Sequence, residues 1–460
     1  MEDDLPRPDT IVALSTSPGV GAVAVVRLSG AGARDVLRAV APELSRPLEP
    51  RRPSLARIVD PREERVVDRA LVTIFPGPAS YTGEDVVEIS GHGGWLPPRL
   101  VLEACIAAGA REAEPGEFTR RAYLNGKLDL VQAEAVGDLV EGRSLALHRA
   151  ALHQLDEGLS RRLSEVRRRL VHLEALLVHH IDFPEEDEPP VSVEEVAREA
   201  DRLEAGLDRL LATAAEGELL REGALTVLAG RPNVGKSSLF NALLGRERAI
   251  VTEVPGTTRD ALEALISLGG FPFRLVDTAG LRDSGERVEV LGIEVARRYL
   301  AAADLVLFCA EAGRPLADEE RRFLDAVRAP AVLVRTRSDE AAESGDREDR
   351  GGGVHGPVPV SVVTGEGLDQ LRTLLPELVY EGLVASHGDT PVLTRRRQRR
   401  GVEEARGEVA AFARALRAGV PVEVASAHLK PAETALEEVL GVITSDEVLD
   451  HLFATFCIGK

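Results

Sequence analysis

The chain has 460 residues, 44% of them hydrophobic and 29% charged, which is the composition of a folded globular protein with two to four domains. The formal net charge of −20 argues against a broad, nonspecific grip on nucleic acid. There is no uncharged apolar run long enough to span a membrane and no signal peptide at the N-terminus, and the cysteines number only three, so a cytoplasmic protein is expected.

The basic residues are unevenly divided between arginine and lysine. Of the 56 basic residues, only four are lysines: Lys127, Lys236, Lys430 and Lys460. Because arginine fills the ordinary surface positions, the remaining lysines are expected where a compact ammonium group is needed.

The hydrophobic pattern changes along the chain. Strand-like runs at 10–15, 22–28, 70–75 and 85–89 alternate with helices at 33–40 and 99–108, and long helical runs follow at 128–180 and 193–220. From Gly223, short apolar runs at 225–229, 273–276, 305–309, 331–334 and 358–362 alternate with helices, as in a parallel sheet. Helices return at 394–418 and 432–456.

This order predicts an α/β multidomain protein in which an inserted P-loop domain interrupts an α-helical domain. The predicted segments are an N-terminal α/β domain (1–122), a first helical part (123–220), the inserted domain (221–382) and a second helical part (383–460).

The inserted domain begins with a phosphate-binding motif. Residues 230–237 read G-x-x-x-x-G-K-S, directly after a predicted strand and before a predicted helix. In this context Lys236 is expected to contact the β- and γ-phosphates, and Ser237 to bind Mg²⁺. The alternative is a chance glycine-rich turn.

Further motifs point to a GTPase. Asp277-Thr-Ala-Gly ends a predicted strand, and the polar loop 256–260 is suited to order around Mg²⁺ and the γ-phosphate. The combination resembles the translation-factor-like branch of P-loop GTPases, with a Ras-like fold. Leu281 stands where Ras-like enzymes have a water-orienting Gln, so hydrolysis must recruit another group; Arg259 and Arg282 are nearby.

The guanine-binding sequence departs from Asn-Lys-x-Asp. Thr336-Arg337-Ser338-Asp339 occupies that place, and Ser361-Val362 stands where Ser-Ala is usual. Asp339 keeps the carboxylate that accepts two guanine N–H groups, Thr336 is expected to make one hydrogen bond, and Arg337 can stack on a base.

Motifs from end to end resemble the MnmE (TrmE) family of tRNA-modification GTPases. They are Asp9-Thr-Ile-Val-Ala13, Arg27-Leu-Ser-Gly30, Tyr81–Glu88, Gly91-His-Gly-Gly94, 115–122, 124–130, Ile181-Asp-Phe-Pro184 and Phe456-Cys-Ile-Gly-Lys460. The resemblance covers essentially the whole chain.

The resemblance implies a G domain that is activated by K⁺-dependent dimerisation. Asn233, Thr252, Val254 and Thr257 match the K⁺ positions, and Thr258 joins Ser237 as an Mg²⁺ ligand. Glu289 matches the residue that orients the attacking water, although by itself it would be an ordinary surface acid. The nucleotide-binding residues expected are Asn233, Val234, Gly235, Lys236, Ser237, Ser238, Thr252, Glu253, Val254, Pro255, Gly256, Thr257, Thr258, Asp277, Thr278, Ala279, Gly280, Thr336, Arg337, Ser338, Asp339, Ser361, Val362 and Val363.

The resemblance also implies that the N-terminal domain binds 5,10-methylene- or 5-formyl-tetrahydrofolate and forms a dimer. The matching residues are Arg27, Glu88, Lys127 and Lys460. From the sequence alone, Arg27 is equally well one of 52 arginines with no special role.

Cys457 is the expected catalytic thiol. Its position fourth from the end allows a prenylation signal, but Gly459 and Lys460 do not fit one. A buried small hydrophobe and a terminal thiol activated by Lys460 are the other readings; the resemblance favours the thiol as catalytic. Cys105 and Cys309 lie in apolar segments and are expected in the core.

The implied function is modification of tRNA. GTP hydrolysis, with Lys236 and Glu289 as catalytic residues, would accompany the addition of a (carboxymethyl)aminomethyl group at C5 of the wobble uridine. The partner would be an MnmG-like protein that carries FAD, in a heterotetramer with the homodimer. The competing class is a ribosome-assembly or signalling GTPase without this chemistry. The basic run Arg395–Arg400 is either a contact for tRNA or a partner, or a solvated helix start.

Overall fold

A computed structural model describes residues 9–44, 48–182, 191–246, 262–277, 289–340, 354–386 and 391–459. The strands are β1 (Ile11–Leu14), β2 (Val23–Ser29), β3 (Ser54–Asp60), β4 (Arg65–Phe75), β5 (Val86–His92), β6 (Arg111–Glu112), β7 (Ala224–Ala229), β8 (Leu262–Leu268), β9 (Phe271–Asp277), β10 (Leu305–Glu311), β11 (Ala331–Thr336) and β12 (Val354–Val360).

The α-helices are α1 (Ala33–Val40), α2 (Pro97–Ala107), α3 (Glu117–Leu124), α4 (Leu130–Glu141), α5 (Leu145–Leu155), α6 (Gly158–Asp182), α7 (Val193–Leu211), α8 (Ala214–Glu222), α9 (Lys236–Arg246), α10 (Glu289–Ala302), α11 (Asp318–Ala326), α12 (Leu368–Val379), α13 (Glu381–Ala385), α14 (Arg396–Arg417), α15 (Val422–Ala425), α16 (Leu429–Leu440) and α17 (Asp446–Phe453). Short 3₁₀ helices cover Ser338–Glu340 and Ser426–His428.

The contacts divide the chain into two compact units. The first comprises Met1–Gly137 with Glu437–Lys460, and the second comprises Asp138–Leu436. The last 24 residues of the sequence therefore cluster with the N-terminal part, although they follow the helical segment in the chain.

The first unit is built on a mixed six-stranded sheet in the order β3-β4-β5-β2-β1-β6. Neighbouring strands are antiparallel except for β1 and β6. Alternate strand residues are buried because one face of the sheet packs against α1 and α2. This core includes Val26, Leu28, Ile58, Val72, Ile89, Val36, Leu37, Val101 and Cys105.

The second unit contains a sheet in the order β12-β11-β10-β7-β9-β8, parallel except for β8. Strands β7, β10 and β11 are buried on both faces, as expected for a parallel sheet that is covered by helices. Parallel strands place their carboxyl ends at one edge, where ligands bind in open α/β sheets. Together with the first unit, this inserted P-loop domain confirms the predicted fold class.

The long helices of the second unit pack through apolar stripes. Helix α7 buries Leu203, Leu207 and Leu210, and α14 packs against it and buries Val402 and Phe412. Within the described residues, no helix is long and apolar enough to cross a membrane.

The structure differs from the predicted elements at several places. Strands β3, β6 and β8 were not predicted, and the helix predicted over 432–456 is two helices, α16 and α17. The break lies at Gly441, which has a φ of +80° and whose carbonyl oxygen accepts a 2.5 Å hydrogen bond from the Tyr123 hydroxyl. A left-handed glycine ends α16 because other residues rarely adopt this conformation.

Candidate functional site

The phosphate-binding loop follows β7 and begins with a glycine that has no room for a side chain. Gly230 has a φ of +136°, and a Cβ there would lie 2.2 Å from the carbonyl oxygen of Cys309 on neighbouring β10. Gly235 and Asn233 also have positive φ values, +94° and +63°. The backbone can therefore turn back on itself, as a loop that points its N–H groups at phosphates must do.

Lys236 is the first residue of α9 and is almost fully buried. Its Nζ donates hydrogen bonds to the carbonyl oxygens of Gly230 (3.1 Å) and Arg231 (2.7 Å), so the ammonium lies within the loop. Ser237 and Ser238 are exposed in the first turn of the helix. This combination of ammonium, hydroxyls and helix N-terminus fits a nucleotide phosphate.

Asp277 lies at the same edge of the sheet. It ends β9 opposite Leu228 of β7, and its side chain is fully buried. Burial raises the pKa of the nearby Cys309 thiol to about 12; the charge of Lys236 opposes this rise and that of Asp277 adds to it. Because Mg²⁺ commonly takes one or two protein oxygens plus phosphate oxygens, Asp277 and Ser237 fit its requirements.

The described residues hold no cluster of three or more His, Cys, Asp or Glu side chains arranged around a metal position. A nucleotide-bound Mg²⁺ does not need such a cluster, since the phosphates supply part of its coordination shell.

The segment that is predicted to bind the base contacts the predicted phosphate loop directly. The Thr336 hydroxyl donates to the carbonyl oxygen of Val234 at 2.5 Å, and Arg337 Nη2 donates to that of Asn233 at 3.1 Å. Asp339 is exposed beside them, and Ser338 donates to Glu366 Oε2 at 3.1 Å. The structure thus brings both predicted segments together.

The second base-side segment follows β12. Ser361 is buried, and its Oγ accepts a hydrogen bond from the backbone N–H of Thr364 at 3.2 Å. Val362 and Val363 are exposed, the latter by 82%. The hydrogen bond of Ser361 therefore stabilises this turn, and the turn exposes the side chains of Val362 and Val363 to solvent.

Several predicted residues lie outside the described residues. They are Thr252, Glu253, Val254, Pro255, Gly256, Thr257, Thr258, Thr278, Ala279, Gly280 and Lys460, together with Arg259, Leu281 and Arg282. Helix α10 begins at Glu289, but the side chain of this residue is also outside the description.

In the first unit, Arg27 and Glu88 form a cross-strand ion pair. They face each other in the β2–β5 register, with Arg27 Nη2 2.9 Å from Glu88 Oε1. The guanidinium also lies 5.8 Å from the ring centroids of Tyr81 and Phe118. With side-chain exposures of 19% and 27%, the pair is half-buried and still open to a ligand.

Lys127 lies beside the segment that carries Tyr81. Its Nζ donates to the carbonyl oxygen of Pro78 at 3.1 Å, and its side chain passes close to Gly83. Ser29 holds the same segment through hydrogen bonds of 2.7 Å to Thr82 and Glu84. Among the described residues, Lys127 forms no hydrogen bond or ion pair with Arg27 or Glu88.

The C-terminal tail is seated on the first unit with its thiol exposed. Ile458 forms an isolated bridge with Pro115, and the N–H of Gly116 donates to the carbonyl oxygen of Cys457 at 3.4 Å. Cys457 is exposed, which excludes the reading of this residue as a buried small hydrophobe. Cys105 and Cys309 are buried, as predicted, and burial raises the pKa of each thiol to about 12.

Comparison with known proteins identifies the family. A family model described as the MnmE helical domain matches residues 130–457, and one described as the GTP-binding protein TrmE N-terminus matches residues 10–127. The chain belongs to the MnmE family of tRNA modification GTPases. As a member of this family it is a GTP hydrolase, and GTP with Mg²⁺ is the nucleotide that it uses.

Relatives in the MnmE family match over nearly the full length. The tRNA modification GTPase MnmE of Moorella thermoacetica is 42% identical over 98% of this chain and 99% of its own. The protein of the same name from Heliobacterium modesticaldum is also 42% identical with the same coverage, and that from Neisseria meningitidis serogroup C is 39% identical over 100% of both chains.

The basic run that precedes and opens α14 is engaged within the second unit. Arg395 is 2.7 Å from the buried carboxylate of Asp138, and Arg399 is 3.2 Å from Glu218 of α8. Arg396 also lies 3.3 Å from Glu222. These ion pairs favour the interpretation of this run as a helix start. Because the arginines are paired with carboxylates, less of their positive charge is available to bind tRNA.

Some contacts at the candidate sites carried no signal in the sequence. Tyr81 belongs to a quoted motif, but its position beside Arg27 was not predicted. Ser15, whose hydroxyl donates to the carbonyl oxygen of Gly459 at 3.2 Å, had no signal at all because the two residues lie near opposite ends of the chain.

Proposed function

We propose that this protein couples GTP hydrolysis to the addition of a (carboxymethyl)aminomethyl group at C5 of the wobble uridine in tRNA. It would act as a homodimer in a heterotetramer with an FAD-carrying, MnmG-like partner, in the cytoplasm. The four-part domain division, 1–122, 123–220, 221–382 and 383–460, belongs to this proposal.

The observation that carries the proposal is the exposed thiol on the N-terminal unit. Cys457 lies on the same compact unit as Arg27, Glu88 and Lys127, and its carbonyl oxygen accepts a hydrogen bond from the N–H of Gly116. A one-carbon folate bound by the three charged residues would supply the carbon unit to chemistry at this thiol. Lys460 is proposed to complete the site.

The Arg27–Glu88 pair fits a folate by its chemistry. A carboxylate accepts N–H groups such as those of a pterin ring, and cations attract the carboxylates of the folate tail. Tyr81 and Phe118 add aromatic surface beside Arg27. The side chains of this chain would therefore bind and orient the folate.

The nucleotide site would drive association of the G domains. Lys236 neutralises phosphate charge, Ser237 and Thr258 bind Mg²⁺, and Asn233, Thr252, Val254 and Thr257 bind K⁺ in this proposal. Glu289 would orient the attacking water, which Leu281 cannot do. A cation at the phosphates stabilises charge that develops in the transition state, as an arginine finger does elsewhere.

Replacement of the thiol separates the two activities. Cys457→Ser should abolish tRNA modification and leave GTP hydrolysis at the wild-type rate. The matched control is Cys105→Ala, which removes a buried thiol of the same unit and should preserve both activities. Loss of both activities in a folded Cys457→Ser protein would refute this division, and full retention of modification would show that the thiol is not catalytic.

A further inference from the structure

Thr336 stands where a base-reading asparagine is usual, but its single proton is already used. The hydroxyl lies 2.5 Å from the carbonyl oxygen of Val234 and 3.3 Å from that of Ala310, and Thr336 is almost fully buried. A threonine hydroxyl has one O–H donor, and both neighbours are acceptors. The proton is therefore committed to the protein backbone.

Arg337 also contacts the protein rather than open space for a base. Its Nη2 lies 3.1 Å from the carbonyl oxygen of Asn233, and its Nη1 lies 3.2 Å from Glu311 Oε1. The residue has a φ of +56°, a conformation that costs free energy for a side chain other than glycine. The bond to Asn233 places the guanidinium against the phosphate loop, and the ion pair with Glu311 orients it there.

Asp339 differs from both neighbours. It is exposed, and its carboxylate forms no hydrogen bond or ion pair with any residue that the structure describes. An ionised carboxylate only accepts hydrogen bonds, so it suits the N1–H and N2–H groups of guanine. Guanine N7 is an acceptor and needs a donor from the protein.

We propose that Thr336 and Arg337 are positioning residues that brace the phosphate loop and leave guanine N7 without a donor, so that the contact expected of Asp339 is the only direct readout of the base among these three residues. The protein then reads the N1–H and N2–H edge of the base and does not read N7. This inference concerns GTP recognition alone and stands independently of the proposed tRNA chemistry.

Competition binding to the purified full-length protein tests the proposal with three nucleotides. A fluorescent GDP analogue would be displaced by GTP, by 7-deaza-GTP, which lacks the N7 acceptor, or by ITP, which lacks the 2-amino group. We expect 7-deaza-GTP to bind within about twofold of GTP and ITP to bind roughly ten- to 150-fold more weakly, the effect of one lost hydrogen bond to a charged acceptor. A similar loss for 7-deaza-GTP, or equal binding of ITP and GTP, would overturn the proposal.

Two substitutions at Thr336 sharpen the test. Thr336→Val keeps the shape but removes the proton, and should weaken GTP and 7-deaza-GTP by the same factor. Thr336→Asn supplies two N–H donors, so one can still reach Val234 while the other reaches N7; GTP should then be preferred over 7-deaza-GTP by about three- to tenfold. An unchanged ratio for Thr336→Asn, or a selective loss of GTP binding for Thr336→Val, would contradict the assignment.

Discussion

The hydroxyl of Ser15 donates a hydrogen bond to the carbonyl oxygen of Gly459, 3.2 Å away. Ser15 follows β1, and Gly459 is two residues after the exposed thiol of Cys457. A Cβ on Gly459 would lie 2.5 Å from the carbonyl oxygen of Leu14, so the tail and the strand approach closely. The N-terminal unit therefore fixes the thiol from both sides, through Ser15 and through Gly116.

Loss of the Ser15 hydroxyl should loosen the tail. Because a hydrogen bond contributes about 0.5–1.5 kcal/mol, Ser15→Ala should speed hydrogen exchange at the Gly116 N–H, which donates to the carbonyl oxygen of Cys457 in the seated tail, by roughly two- to tenfold. Thiol titration measures the exposure of Cys457 separately: Cys105 and Cys309 are buried, with pKa values raised to about 12, so native protein should titrate one thiol and denatured protein three.

The control for the tail is Ser17→Ala, since Ser17 is exposed and has no hydrogen bond among the described residues. It should leave the exchange rate of the Gly116 N–H unchanged. An unchanged exchange rate in Ser15→Ala, or a native titre above one thiol in the wild type, would contradict the seated tail.

The close approach at the phosphate loop gives a second prediction. Gly230→Ala places a Cβ 2.2 Å from the carbonyl oxygen of Cys309 at a φ of +136°, so the loop must shift and GTP affinity should fall by at least about tenfold. Gly245→Ala on α9 is the control: a Cβ there meets nothing within 4 Å, and the helix should gain about 0.5–1 kcal/mol. Isothermal titration with a non-hydrolysable GTP analogue measures the affinity of each variant, and equal affinities for the two variants would refute the argument.

Tyr380 joins α8 to the beginning of β9. Its hydroxyl is shared between the carbonyl oxygens of Pro272 (2.7 Å) and Leu219 (3.1 Å), and its ring stacks on Phe271 with centroids 4.8 Å apart. Burial raises the pKa of the phenol, so it remains a donor at all ordinary pH values. Tyr380→Phe leaves buried carbonyl groups without this donor and should lower the free energy of unfolding by about 1–3 kcal/mol.

Denaturant unfolding measures this loss, and Tyr299→Phe provides the comparison. Tyr299 donates to Glu263 at 3.3 Å in an exposed setting, where removal of the hydroxyl should change the free energy of unfolding by less than about 0.5 kcal/mol. A smaller effect at Tyr380 than at Tyr299 would show that the shared hydroxyl does not stabilise the fold.

An ion-pair network at the start of the first sheet predicts a dependence on pH. The hydrogen bond from Arg111 lowers the pKa of Asp9, with partial burial opposing it and Arg121 adding to the fall. A carboxyl whose pKa is lower in the folded state contributes stability above its unfolded pKa, near 3.9, and loses it as pH falls through the folded pKa.

Wild-type protein should therefore lose stability on acidification below about pH 4 more steeply than Arg111→Gln, in which this pKa returns towards its usual value. Unfolding midpoints measured between pH 3 and 7 compare the two. Parallel profiles would mean that Arg111 does not set the pKa of Asp9.

The sequence allowed the local parts of the site to be predicted, and the fold supplied the rest. The phosphate loop was predictable because its glycines, Lys236 and Ser237 are contiguous and lie between a strand and a helix. Gly441 was a sequence signal for the break between α16 and α17. The helical periodicity on either side of it nevertheless led to the prediction of one continuous helix. The division of labour between Thr336 and Asp339 depends on the backbone of residue 234, about 100 positions away, so no local pattern contains it.

The most direct test of the central claim is mass analysis of wobble-uridine nucleosides in tRNA from cells that lack this protein. We predict that the (carboxymethyl)aminomethyl nucleosides disappear, that the wild-type gene restores them, and that neither Lys236→Ala nor Cys457→Ser does so although both proteins accumulate. Unchanged nucleosides in the deletion strain would contradict a role in tRNA modification, and restoration by Lys236→Ala would contradict its coupling to GTP hydrolysis.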